Sequence, residues 1–284
     1  VRCFTLPWPL DTGAEVRDHV DLPGSNIVYD FHGDPCNADL YIVMEGNQFM
    51  VLPDLLEAFE KFVGQDIKVF YVTLPPPRFR PLIQGKGLAV GNLIFNFVPQ
   101  VVMGPPDFMS KIRDFVSSPQ TFIHNRGVVL VVKRGNPKNI LGPEDLKRNE
   151  VVVAISNPET EINSFNTYLA ALAEIPGLEE KIRKKAVFSQ VIHHREIPAL
   201  IQAGIADVAP LYYHFAYYYQ NPRFFTEPLF DYIEFPGGKR AISAYQVALM
   251  KGAEDHPLAP KWVSFLHTKE AQEIYETHGF VRCK

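Results

Sequence analysis

The sequence predicts an α/β fold of mostly parallel sheets with helices on both faces. Short apolar runs of strand length alternate with segments of helical period along nearly the whole chain. One stretch, residues 186–216 (AVFSQVIHHREIPALIQAGIADVAPLYYHFA), sets two such runs around one short helix, the pattern of a βαβ unit. The 284 residues suffice for two medium cores, and 46% hydrophobic with 21% charged residues is ordinary globular composition.

In chain order, residues 1–38 are rich in Pro, Asp and Gly without a sustained period, and read as an irregular N-terminal extension. The run ADLYIVM (38–44) is a buried strand, EGNQF a turn, and Met50 to Phe62 a helix with Leu52, Leu55, Leu56 and Phe59 on its apolar face. Residues 66–72 form the next strand, which ends in the proline-stiffened loop TLPPPRFRPLIQG. Residues 91–102 read as a strand, 104–116 as a helix opening after two prolines, and 122–133 as one long apolar strand. Gly142 to Leu146 opens a short helix and Val151 to Ile155 is a strand. Residues 157–160 are a turn, and Ser164 caps the helix running to Glu174. Ile197 to Ala203 is helical, Arg240 to Met250 alternates as a strand, and 259–266 and 269–276 are closing helices.

Chemistry concentrates where strands stop, because ligands in open α/β sheets sit outside the carboxyl ends of strands. The stretch 186–216 releases His193, His194, Arg195 and Glu196 after its first run, and Tyr212, Tyr213 and His214 after its second. Asn47 and Gln48 lie at the tip of the first strand-to-helix turn, where incoming helix N–H groups point outward. Arg78 and Arg80 flank Phe79 in the proline loop and offer guanidinium groups suited to carboxylates and oxyanions.

Several classes are excluded. A formal charge of −4 does not suit a general nucleic-acid binder. No apolar run approaches the roughly 20 residues that cross a bilayer, so no direct membrane insertion is expected. Cys3, Cys36 and Cys283 lack CxxC spacing; a disulfide tying down a terminus and three unrelated cysteines are both open. HExxH and GxSxG patterns are absent, and no Cys stands near the crevice, so the expectation is a protein that is not an enzyme and uses no cofactor. The chain begins Val1-Arg2-Cys3 without an initiator Met. We expect a removed targeting peptide and a periplasmic or extracellular location.

RGVVLVVKRGNPKNILGPEDLKRNEVVVAISNPET (126–160) resembles the middle of the molybdate/tungstate-type periplasmic solute-binding proteins of ABC transporters. AGIADVAPLYYHFA (203–216) and APKWVSFLHTKEAQEIYETHGF (259–280) resemble two further segments of that family, and the likeness spans about Ala38 to Phe280. The resemblance implies a two-lobe type II periplasmic-binding fold, with lobe one at 39–123 plus 241–284, lobe two at 124–240 and a ligand cleft between them. It implies capture by lobe closure on hinges near Ile123 and Arg240, and partners in a membrane permease or a sensor domain, with the protein itself expected to be a monomer.

Carried over position by position, the family's ligand contacts fall on Asn47 and Gln48, on Thr73 and Arg78, on Asn163 and Ser164, on His194, and on Tyr212. The first two loops lack the family's serines, and Arg78, His193, His194 and Arg195 bring cationic or titratable groups instead. Charge-assisted hydrogen bonds are roughly twice as strong as neutral ones, so this substitution favours a small anion, an oxyanion or a carboxylate. The alternative is a metal ion of ferric type held by His194, Tyr212, Tyr213 and Glu159. Neighbours in an extended segment face opposite ways, so Tyr212 and Tyr213 reach one ion only if a turn begins at Tyr212.

Overall fold

The computed structural model describes residues 3–5, 30–90, 93–189, 193–223 and 225–283. Most of the expected N-terminal extension, residues 6–29, lies outside them. Two described pieces of it are strands: β1 (Cys3–Thr5) runs antiparallel to residues 93–95, and β2 (Phe31–His32) antiparallel to residues 71–72.

Strand β3 (Leu40–Met44) is buried along its whole length and leads through a 3-10 turn (Gly46–Val51) into α1 (Leu52–Val63). Pro53 costs nothing in the first helical turn, where its missing N–H has no intrahelical acceptor. Leu52, Leu55, Ala58 and Phe59 form the buried face of α1. After β4 (Val69–Thr73) the structure departs from the expected loop: residues Pro76–Ile83 form a short helix, α2. Two of its prolines again occupy the first turn, and burial of Phe79, Leu82 and Ile83 outweighs the interruption at Pro81.

Strands β5 (Leu88–Val90), β6 (Leu93–Phe95) and β7 (Val101–Gly104) follow, then α3 (Pro106–Lys111) and β8 (Gln120–His124). The single strand expected over 91–102 is two, parted around Pro99, which has no donor for a ladder. The single strand expected over 122–133 is also two, β8 and β9 (Val128–Lys133). Asn125 causes the break. Its backbone N–H donates to the Ser243 carbonyl (2.9 Å), its Nδ2 to Ser243 Oγ (2.6 Å), and its Oδ1 accepts from Gly127 N (3.0 Å). Gly127 sits at φ +89°, and a Cβ there would strike the Gly238 carbonyl.

Beyond a 3-10 turn (Pro143–Lys147) come β10 (Ala154–Ile155), α4 (Ile162–Leu172), α5 (Leu178–Lys185) and β11 (Val187–Phe188). The chain continues through a 3-10 turn (His194–Glu196), α6 (Ile197–Gln202), β12 (Val208–Tyr212), α7 (Tyr213–Gln220) and β13 (Phe230–Glu234). Where a strand was expected from Arg240, α8 (Pro236–Arg240) comes first and β14 (Ala244–Leu249) only afterwards. Gly237 and Gly238 let α8 press its backbone against the carbonyls of Ala171 on α4 and Val128 on β9. Helices α9 (Ala259–Leu266) and α10 (Lys269–Thr277) and strand β15 (Val281–Arg282) close the chain.

The chain divides into two compact units, residues 1–123, 244–276 and 282–284 in the first, 124–243 and 277–281 in the second. The first is built on a sheet of order β15-β8-β14-β7-β3-β4-β2, in which β3 pairs parallel with both β4 and β7. Phe59 and Trp262 meet edge-on at 4.9 Å in its core. In the second unit β9 pairs antiparallel with β12 and β13, while β10 pairs parallel with β11 and is bridged in parallel to β12 through Val153 and Val208. Among the described residues no helix is long and apolar enough to cross a membrane.

Candidate functional site

In the second unit β10, β11 and β12 run in the same direction, so their carboxyl ends emerge along one edge. Ser156 follows β10, Ser189 follows β11, and Tyr212 ends β12. The first two loops are tied together: Asn157 donates from its backbone N to Ser189 Oγ (2.9 Å) and from Nδ2 to the Ser189 carbonyl (3.1 Å). Asn157 Oδ1 accepts from Glu159 N (2.8 Å), and its carbonyl from Glu161 N (2.9 Å). This turn delivers Glu161 to the start of α4.

Glu161 is the centre of the site. Its side chain is 5% exposed, and Oε2 accepts from the backbone N–H of His194. His194 Nδ1 approaches the same oxygen to 3.0 Å as a charge contact rather than an aligned hydrogen bond, and His193 Nδ1 lies 3.9 Å from Oε1. Burial, the largest single influence, pushes the carboxyl pKa up. The charge and hydrogen bonding of His194, with the charge of His193, outweigh it and hold Glu161 below the ordinary carboxylate range. Beside this pair, Arg195 Nη2 sits 3.0 Å from His193 Nε2.

Behind His194 lies a wall of rings. Its imidazole meets Phe215 at 5.0 Å, Tyr168 at 5.8 Å and Tyr212 at 6.0 Å between centroids. His214 is stacked between Tyr212 (5.4 Å) and Phe280 (4.4 Å). Around these strand ends Ser156 Oγ, Thr160 Oγ1 and His194 Nε2 are buried polar atoms without a hydrogen-bond partner among the described residues. Leaving such a group unmade costs about 1–3 kcal/mol, so each is a place where a solute or water is expected to complete the bonding.

Of the residues read from sequence, the structure therefore brings His193, His194, Arg195 and Tyr212 to one edge. Asn163 is exposed on α4. Ser164 is buried inside α4 and does not cap it, because the helix begins at Ile162 and the flanking Glu161 turns its carboxylate to His194 instead. The alternative metal quartet does not converge. Glu159 is exposed, and Tyr213 opens α7 and packs on Tyr217 (5.9 Å) and Tyr232 (5.4 Å), away from the ring cluster that holds Tyr212. Burial and the Tyr232 hydroxyl hold the Tyr213 phenol well above its ordinary pKa. Among the described residues no group of three or more His, Cys, Asp or Glu side chains is placed to hold a metal ion.

In the first unit, Gln48 is fully buried in a bonded network: its Nε2 donates to Glu45 Oε1 (2.7 Å) and its Oε1 accepts from the Tyr275 hydroxyl (2.7 Å). Asn47 donates its backbone N–H to Glu45 Oε2 (2.7 Å). Thr73 is buried at the end of β4, and its Oγ1 donates to Asp30 Oδ1 (3.4 Å). Arg78 is exposed on α2.

Glu161, Ser156, Thr160 and Tyr168 were not singled out in the sequence. Ser156 carried a usable signal, being the first polar residue after the apolar run ending at Ile155. Glu161 did not, since two nearby acids, Glu159 and Glu161, are alike in sequence and only the turn at Asn157 decides which is buried.

Two α/β units, with polar groups gathered at the carboxyl ends of parallel strands, define a solute-binding protein of the type II periplasmic-binding fold. The chain belongs to the bacterial extracellular solute-binding protein family, whose sequence profile matches residues 97–281. Its fold is similar to that of the periplasmic molybdate-binding protein of Azotobacter vinelandii, with 17% identity, TM-score 0.64, and 86% of this chain and 100% of that chain covered. The sulfate-binding protein SubI of Mycobacterium tuberculosis gives 17% identity and TM-score 0.64 over 85% of each chain. Iron-bound HitA of Pseudomonas aeruginosa gives 13% identity and TM-score 0.60 over 83% of each. No curated relative matches the sequence.

Proposed function

We propose that this protein captures a small anion, an oxyanion or carboxylate, for the membrane permease of an ABC importer or for a sensor domain. It acts by binding, without a cofactor. The observation that carries this reading is the state of Glu161. Its Oε2 is engaged by the N–H and ring of His194, and the Arg195 guanidinium stands 3.0 Å from His193 at the same strand ends, which brings a fixed positive charge to them. The Ser156 and Thr160 hydroxyls and His194 Nε2, which have no hydrogen-bond partner among the described residues, supply further bonding capacity for oxygen atoms of a solute. The structures with similar folds include proteins titled for molybdate and for sulfate, which agrees with an anion. A metal reading has less support, because Tyr212 and Tyr213 join separate clusters and Arg195 stands beside the histidines.

The first unit's contribution through Asn47, Gln48, Thr73 and Arg78 belongs to the same proposal. Asn47 and Gln48 act there by shaping the turn, and Arg78 by presenting an exposed guanidinium. Isothermal titration with molybdate, sulfate, phosphate, succinate and ferric citrate tests the reading. One saturable anion site is expected, and Arg195→Ala should weaken it by about 1.5–3 kcal/mol. Ferric binding that survives Arg195→Ala and disappears when Tyr212 and His194 are replaced would overturn it.

A further inference from the structure

A second cluster in the same unit uses none of these side chains. Arg126, Tyr213, Glu234 and Lys239, with Val128, Val129 and Ile242, line a cavity of about 230 Å³. Its charged groups are organised. The Arg126 guanidinium lies 4.2 Å above the Tyr213 ring centre, and its Nη2 is 3.3 Å from Glu234 Oε1. Lys239 Nζ takes the other oxygen of Glu234 at 2.8 Å. Two cations therefore share one carboxylate, and the cluster carries a net single positive charge.

The Tyr213 ring and the Glu234 carboxylate engage Arg126, while most of its five N–H donors have no partner among the described residues. A guanidinium held this way is suited to a second carboxylate bound in bidentate fashion. The rest of the lining is apolar: two valines, an isoleucine and the face of a tyrosine. Exposed ion pairs contribute little to stability, so stability alone gives little reason for two cations on one acid at this spot.

We infer that this cavity is a binding site for a small organic monocarboxylate with a compact apolar body. The net charge calls for a monoanion, the valine and tyrosine floor for an apolar body, and a volume below the roughly 300–1,000 Å³ of drug-sized pockets for a small one. Position gives the site a use. Arg126 follows closely on His124, where the chain enters the unit, and Ile242 precedes Ser243, where it leaves. Those two segments are clasped by Asn125 and Ser243, so an occupant touches two of the segments at which the chain enters or leaves the unit.

The probe is benzoate, titrated calorimetrically into the full chain and its variants. The wild type should show one saturable site, weakened at least tenfold by Arg126→Ala and by Lys239→Ala and unchanged by Arg195→Ala. Glu234→Gln should bind benzoate more tightly, because the competing internal carboxylate is gone. This last variant keeps the test decisive if Arg126→Ala fails to fold. Absence of saturable binding to the wild type overturns the inference. So does binding that is lost in Arg195→Ala but kept in Arg126→Ala, which would place benzoate among the strand-end histidines. Molybdate and sulfate titrations of the same variants report on the strand-end site separately, so either site can fail alone.

Discussion

Replacing Glu161 by Gln tests the centre of the strand-end site through stability. The amide keeps the shape of the side chain and can still accept from the His194 N–H, but it carries no charge. Lost are the charge assistance of that hydrogen bond and the attraction of two imidazoles, one at 3.0 Å and one at 3.9 Å. Hydrogen bonds to charged groups contribute about 1.5–3 kcal/mol against about 1 for neutral ones, and the carboxylate's desolvation offsets part of the Coulomb gain. The net cost expected at pH 7 is about 1–3 kcal/mol. The pH dependence has a definite sign. Glu161 titrates below its ordinary 4.5, so its contribution is fully present above that value and is lost as pH falls through the folded-state value. In acid the wild-type side chain becomes neutral, as the amide already is. Urea unfolding followed by circular dichroism should therefore show a large gap between wild type and Glu161→Gln at pH 7 that narrows below about pH 4.5. A gap of equal size at pH 7 and pH 3.5, or none at pH 7, would refute the charged-Glu161 account.

Two further substitutions test how the second unit is held together. Lys181 Nζ donates to the carbonyls of Leu146 (2.6 Å), Arg148 (2.6 Å) and Val151 (3.3 Å), so Lys181→Met should cost about 1.5–3 kcal/mol in urea unfolding, whereas a surface lysine would cost almost nothing. Gly237→Ala should cost about 1–3 kcal/mol in the same measurement, because the added methyl meets the Ala171 carbonyl and forces α8 away from α4. An unchanged midpoint in either variant would contradict the packing described.

The parts of the fold legible in sequence are those set by local periodicity. Strand β3, the turn after it and helix α1 were readable because an unbroken apolar run gives way within a few residues to a helical stripe. The closing helices α9 and α10 were readable for the same reason. The misread segments depend on distant partners. The apolar run through residues 122–133 looks continuous, and only the bonds from Asn125 to Ser243, far along the chain, divide it. Likewise α8 replaces a strand start because two glycines let it seat on α4 and β9, a fit that local pattern does not encode. At the site, His193, His194, Arg195 and Tyr212 were legible as polar residues released at strand ends. The acid that organises them was not, since its burial follows from the Asn157–Ser189 tie between two loops.

Tyr212 and Tyr213 show how one residue of phase separates two chemistries. Tyr212 is the last residue of β12, and its ring faces Tyr168, His194 and His214. Tyr213 is the first residue of α7, and its ring carries the Arg126 guanidinium. Had the strand ended one residue later, both phenols would still have pointed to opposite sides, since strand side chains alternate. Had the helix begun one residue earlier, successive positions would have stood about 100° apart on one turn, near enough to share an ion. The observed boundary falls between these cases and gives each tyrosine its own neighbours: the rings of His194 and His214 for Tyr212, the Arg126 guanidinium for Tyr213. A ferric pair needs both phenolates on one metal, whereas here each ring packs in its own cluster.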